Sequence, residues 1–225
     1  MKFQKFLYGA LLLGSGIAPA TAKIGGFYVG AHVGAEALQG THTYSNGIGS
    51  SGKQKVSAFG YLAGLSVGYL KQLQASPMVF GGEIYGSMAG PKAKKNLQIV
   101  DGPIEGSATL SHKYSIGGAV MAGAAINPKI LMYTKLGYEI DKIAMDYTFP
   151  TQPTEKYTKS STTYIPGAGV LYTVSPSLLI GAEYGYAIIK KMQPRKDAVA
   201  INGASRGYSF SPVAQRVTIK AIYMF

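Results

Sequence analysis

Residues 27 to 37, FYVGAHVGAEA, alternate without a break. Phe27, Val29, Ala31, Val33, Ala35 and Ala37 fall on one side of an extended chain, and Tyr28, Gly30, His32, Gly34 and Glu36 on the other. Period two over eleven residues predicts a strand with one apolar and one polar face. The same rhythm returns in seven further runs. They are centred on AFGYLAGLSVGYL (58–70), Phe80 to Met88, Tyr114 to Ile126, Met132 to Asp141, Tyr164 to Val174, Ile180 to Ile188, and the terminal RVTIKAIYMF (216–225). Eight strands are therefore expected. Of their seven connections three are short, around 71–77, at NPK (127–129) and at SPS (175–177), and four are long and polar: 38–55, 89–112, 149–162 and 191–211. Short and long connections alternate.

That alternation is the signature of an up-and-down transmembrane β-barrel, with tight turns at one end and long loops at the other. A soluble barrel also alternates, but its second face is charged and its apolar face is buried. Here the second face is mostly glycine, serine, tyrosine and single charges, which suits the narrow interior of a small barrel. The aromatic residues of the apolar face gather near strand ends, as interfacial girdles do: Phe27, Phe59, Tyr69, Phe80, Tyr114, Tyr138, Tyr164, Tyr172, Tyr184, Tyr223 and Phe225. Closing the sheet in lipid leaves no strand edge unpaired. The fold expected is all-β, an eight-stranded antiparallel up-and-down barrel.

The first 22 residues, MKFQKFLYGALLLGSGIAPATA, read as a secretory signal peptide: Lys2 and Lys5, an apolar stretch from Phe6 to about Ile17, then Ala20-Thr21-Ala22. The stretch is too short and too glycine-interrupted for a spanning helix. Residues 23–225 are then the barrel. There is no cysteine, which removes thiolate chemistry and cysteine metal sites.

On the signal peptide, the first strand GFYVGAHVG (26–34) and the closing strand VTIKAIYMF (217–225), the chain resembles the small outer-membrane β-barrel family that includes the OmpA-type transmembrane domain and related surface antigens. The resemblance implies the bacterial outer membrane as location. It also implies that Val217, Ile219, Ala221, Tyr223 and the terminal Phe225 form the signal read by the barrel-assembly machinery. No periplasmic domain is expected after the barrel, so peptidoglycan tethering is not carried over.

Two sets of residues are candidates for function. Glu36, Glu83, Glu139, Asp141 and Glu183 with Lys113, Lys135, Arg216 and Lys220 lie on the inward face by parity, five acids against four bases. Ionised groups in a narrow lumen must be paired or wetted, so a salt-bridge network is expected that packs the barrel; a narrow path for ions or small solutes is the alternative. The long connections carry the second set. Lys53, Lys55, Lys92, Lys94, Lys95, Lys156, Lys159, Lys191, Arg195, Lys196 and Arg206 stand against Asp101, Glu105, Glu155 and Asp197. Lipopolysaccharide phosphates, or acidic glycans on another cell, are the partners such a surface suits, and export argues against nucleic acid.

An enzyme is not expected. Of the three histidines, His32 faces inward, His42 falls in the first long connection, and His112 follows Ser111 in LSHKYS. Adjacent strand residues point to opposite faces, so Ser111 is poorly placed for His112, and Ser115 fares no better. No phosphate loop or metal-spaced cluster appears, and no cofactor is expected. The function expected is that of an envelope protein presenting basic loops as a surface antigen or adhesin.

Overall fold

A computed structural model describes residues 25–45, 51–98, 105–149, 152–190 and 207–225. Their strands are β1 (Gly25–Ser45), β2 (Ser51–Gln72), β3 (Met78–Ala89), β4 (Lys92–Gln98), β5 (Glu105–Asn127), β6 (Ile130–Phe149), β7 (Gln152–Ser175), β8 (Leu178–Ile189) and β9 (Gly207–Met224). Each pairs antiparallel with its neighbour, β1 closes on β9, and β3 pairs with β5. β3 and β4 are two lengths of one stave, both laid along β5 and separated at Gly90-Pro91. The nine segments make a closed eight-stranded barrel.

The parity read from the sequence is the parity of the wall. Phe27, Val33, Phe59, Leu65, Ile84, Val120, Leu136, Val217 and Ile219 all lie exposed on the outside. The aromatic residues fall in two belts. Tyr61 and Tyr69 on β2, and Tyr164 and Tyr172 on β7, are each eight residues apart. At about 3.3 Å per residue and a tilt of about 40°, that is roughly 20 Å along the barrel axis, close to the apolar band of an outer-membrane barrel. Edge-on ring contacts tie the belts together, with centroids 5.0 Å apart for Phe27–Tyr69, 5.5 Å for Tyr138–Tyr164 and 5.3 Å for Tyr223–Phe225.

The tight turns lie where expected. In the NPK turn Asn127 Oδ1 accepts the backbone N–H groups of Lys129 and Ile130, each at 2.9 Å, and so completes the hairpin from β5 to β6. The long connections are a correction. Most of 38–55, much of 89–112, and nearly all of 149–162 are strand, and β9 already begins at Gly207. A strand crosses lipid in about ten residues, whereas β1, β2, β5, β6 and β7 run for 20 to 24. The excess projects beyond the outer belt.

Inside, apolar side chains form two layers. The lower contains Tyr28, Leu70, Val79, Met121, Leu131, Leu171, Leu179 and Ile222, and draws on every stave. The upper contains Leu38, Ala58, Leu110, Ile143, Ile165, Ala187, Ile189 and Ala214. Charged residues fill the space between.

Candidate functional site: the charge layer of the lumen

The charge layer has two halves. In the lower half Lys135 Nζ lies 2.8 Å from Glu83 Oε1 and 2.6 Å from Glu183 Oε1. Lys220 pairs with the other oxygen of Glu83. Tyr28 donates its hydroxyl to Glu83 at 2.7 Å, and Tyr133 donates to Glu183 at 2.9 Å. Lys135 Nζ also sits 4.8 Å from the Tyr85 ring centre. Two acids meet two ammonium groups, so this half is neutral, and nearly every charged oxygen has a donor.

The upper half is built on Arg216. Its Nε reaches Glu36 Oε2 at 2.6 Å and its Nη1 reaches Glu139 Oε1 at 2.5 Å, while Nη2 stands 3.7 Å from Asp141 Oδ1. His112 lies between the flanking acids: Nδ1 is 2.9 Å from Glu36 Oε1, and Nε2 is 3.1 Å from Asp141 Oδ1 without the alignment of a hydrogen bond. Thr163 donates its hydroxyl to Asp141. Glu36, Glu139 and Asp141 are fully buried. Three carboxylates thus share one guanidinium and one imidazole, and this half is acid-rich.

Of the nine residues expected in the network, eight are brought together. Lys113 is not among them: it is exposed. The reason is a bulge in β5, where the pairing with β6 shifts between His112↔Ile143 and Tyr114↔Lys142. The extra residue reverses the inward parity, from even numbers before it to odd numbers after it, and His112 takes the lumenal place that simple alternation gives to Lys113. Ser111 and His112 are both buried, and the partners of His112 are carboxylates rather than either serine. A second histidine pair was also hidden in the sequence: His32 Nε2 lies 2.9 Å from Ser87 Oγ, joining β1 to β3 across the lumen.

The space left over is small. A cavity of about 40 Å³ between the two halves is lined by His32, Glu83, Tyr85, Ser87, Lys135, Arg216 and Lys220. A water needs about 10–15 Å³ of such volume, so the cavity holds a few waters at most. A larger hollow, about 830 Å³, lies on the outer wall over Gly82 and Gly118, between Phe27, Tyr69, Ile84, Tyr138 and Phe225. It faces lipid and has no connection with the lumenal charges in its chemistry. Among the described residues no group of His, Asp and Glu could hold a metal ion.

The remaining candidates divide. Val217, Ile219, Ala221, Tyr223 and Phe225 are all exposed on the outer face of β9, the arrangement that alternation implies. Lys53 and Lys55 belong to β2, and Lys92, Lys94 and Lys95 to β4, so these are strand residues rather than loop residues. Lys191, Arg195, Lys196 and Arg206 lie outside the described residues, as do residues 1–22.

Replacing Lys135 by methionine should lower stability by about 2–3 kcal/mol, because Glu83 keeps Lys220 while Glu183 keeps only the Tyr133 hydroxyl. Denaturant titration of the barrel in lipid vesicles measures this. Adding Glu183→Gln should restore more than half of the loss, and no recovery would mean that the ion pair is not what Lys135 contributes.

Comparison with known proteins followed the geometry. The profile of the outer membrane protein β-barrel domain matches residues 8–211. Among solved structures, the chain is similar to Neisserial surface protein A, with 16% identity and a TM-score of 0.43 over 88% of this chain and 97% of that one. It is also similar to Ail, the attachment invasion locus protein of Yersinia pestis, with 15% identity and a TM-score of 0.37 over 86% of this chain and 98% of that one. No curated protein matches the sequence.

Proposed function

This chain belongs to the outer membrane protein β-barrel domain family and is a protein of the bacterial outer membrane; from that premise we propose that it is a closed, non-enzymatic envelope barrel that acts at the cell surface by presenting basic segments to acidic partners. The observation that carries this reading is the filled lumen. An apolar layer drawn from all eight staves lies below the charges, a second lies above them, and about 40 Å³ remains between. A narrow pore would need a continuous wet path through both layers. With no path inside and a strongly basic chain outside, function falls to the projecting strands and the connections they carry.

The partners in this reading are lipopolysaccharide phosphates beside the barrel and acidic groups on another cell, with the outward face of the last strand serving assembly. Nucleic acid and cofactors have no part in it. Single-channel recording of the folded chain in a planar lipid bilayer tests the proposal. Silence from protein whose folding is verified by heat-modifiable gel mobility is the expected result. Reproducible conductance steps that change in Arg216→Met would make the protein a pore.

A further inference from the structure

The third stave does not continue straight. The ladder between β2 and β3 ends at Leu62↔Ala89, and Gly90 N–H then donates to the Tyr61 carbonyl at 2.9 Å. At the next residue the chain turns away: the Pro91 carbonyl accepts from His112 N–H of β5 at 3.2 Å, and β4 pairs with β5 from Lys92↔Ser111 to Gln98↔Glu105. The break is built into the packing. A side chain at Gly60 would place its Cβ 2.4 Å from Pro91 N, so the wedge fits only against glycine.

Beyond the wedge, β2 continues its ladder with β1 out to Ser45↔Ser51, and β4 continues its ladder with β5. Among the described residues no ladder joins β2 to β4. The outer end of the barrel is therefore slit along this line. The direction of the backbone groups follows from Tyr61. In an antiparallel strand the N–H and C=O of one residue point the same way and alternate along the chain. The β1–β2 register has no shift, and Tyr61 points toward the third stave, so Phe59 and Ser57 turn their N–H and C=O groups into the slit. Its two sides, SGKQKVSAFG (51–60) and KAKKNLQ (92–98), contain five lysines and no carboxylate.

We propose that the slit between β2 and β4 above Gly90-Pro91 is a docking site for an extended acidic segment of another protein, which binds by adding a strand to the open edge of β2. This deepens the surface-interaction reading above and rests on it. Main-chain pairing supplies the affinity, and the lysines select for acidic sequence. A sulfated glycan offers the charge without the ladder, and belongs to the outcomes of the test.

The experiment uses the full folded chain in lipid nanodiscs and two fluorescent ten-residue peptides of alternating glutamate and valine. One has a normal backbone; in the other every second backbone nitrogen is methylated, which keeps the charge and removes ladder donors. The normal peptide should bind at least tenfold more tightly, and Ser57→Pro, which deletes an N–H turned into the slit, should abolish the difference. Equal binding of both peptides to the unaltered chain overturns strand addition while leaving an acidic-ligand surface in place. Binding of neither overturns both readings. A preference that persists in folded Ser57→Pro places the added strand elsewhere and also overturns the proposal. The comparison on the unaltered chain decides by itself if that variant does not fold.

Discussion

Arg216→Met is expected to destabilise the folded barrel by about 3–5 kcal/mol, the range for removing one partner from a buried ionic group. Methionine fills much of the arginine volume, so the loss measures charge rather than a cavity. Glu36 loses a contact at 2.6 Å and Glu139 one at 2.5 Å, and Glu36, Glu139 and Asp141 are all fully buried. Glu139 fares worst: Glu36 and Asp141 keep His112 beside them, whereas Glu139 has a second oxygen that is already without a hydrogen-bond partner. The measurement is the unfolding midpoint in denaturant with lipid vesicles. Combining Arg216→Met with Glu139→Gln should recover at least 1 kcal/mol, since a neutral amide no longer needs the guanidinium. A single-variant loss below about 1 kcal/mol would mean that water, not Arg216, neutralises the acids.

Gly181→Val should prevent folding altogether. Gly181 faces the interior of β8, and a Cβ there would stand 1.9 Å from the Val170 carbonyl oxygen and 2.8 Å from Leu171 Cδ2. The obstacle is backbone, so no rotamer of a neighbour can relieve it. Separating β7 from β8 would break the Leu171↔Gly181 and neighbouring pairs. The cost should exceed about 4 kcal/mol. Heat-modifiable mobility reads this directly: the folded, faster band should be absent. Ala182→Val, one residue along and exposed on the outer wall, should fold normally. A folded Gly181→Val barrel would show that the β7–β8 wall is wide enough to yield.

These two positions mark what a sequence can and cannot disclose. Period-two alternation was enough to place eight staves, their inward and outward faces, and eight of nine lumenal charges, because lipid on one side and a packed lumen on the other impose opposite chemistry on successive residues. Where that contrast ends, the signal ends with it. Above the outer belt both faces of a strand meet water, so residues such as Ser51 to Ser57 look like a loop although their backbone ladder with β1 is unbroken. Hydrogen bonds between main chains leave no mark on composition. Lys113 failed for a different reason: one bulged residue reverses parity, and nothing in LSHKYS announces it. The pairing of His32 with Ser87, 55 residues away, depends on barrel closure and could not be read locally.

The arrangement of the charge layer also bears on how the barrel is made. Arg216 and Glu36 are 180 residues apart, and Lys220 and Glu83 are 137 apart. Both cations arrive on the last strand, while their acids stand on β1, β3 and β6. Until that strand docks, Glu36, Glu139 and Asp141 have no guanidinium, and an incomplete sheet would have to carry them into lipid uncompensated. Neutralisation and closure are thus one event. A chain wired in this way has few stable partial barrels, and its insertion should be slow, all-or-none, and limited by the arrival of β9.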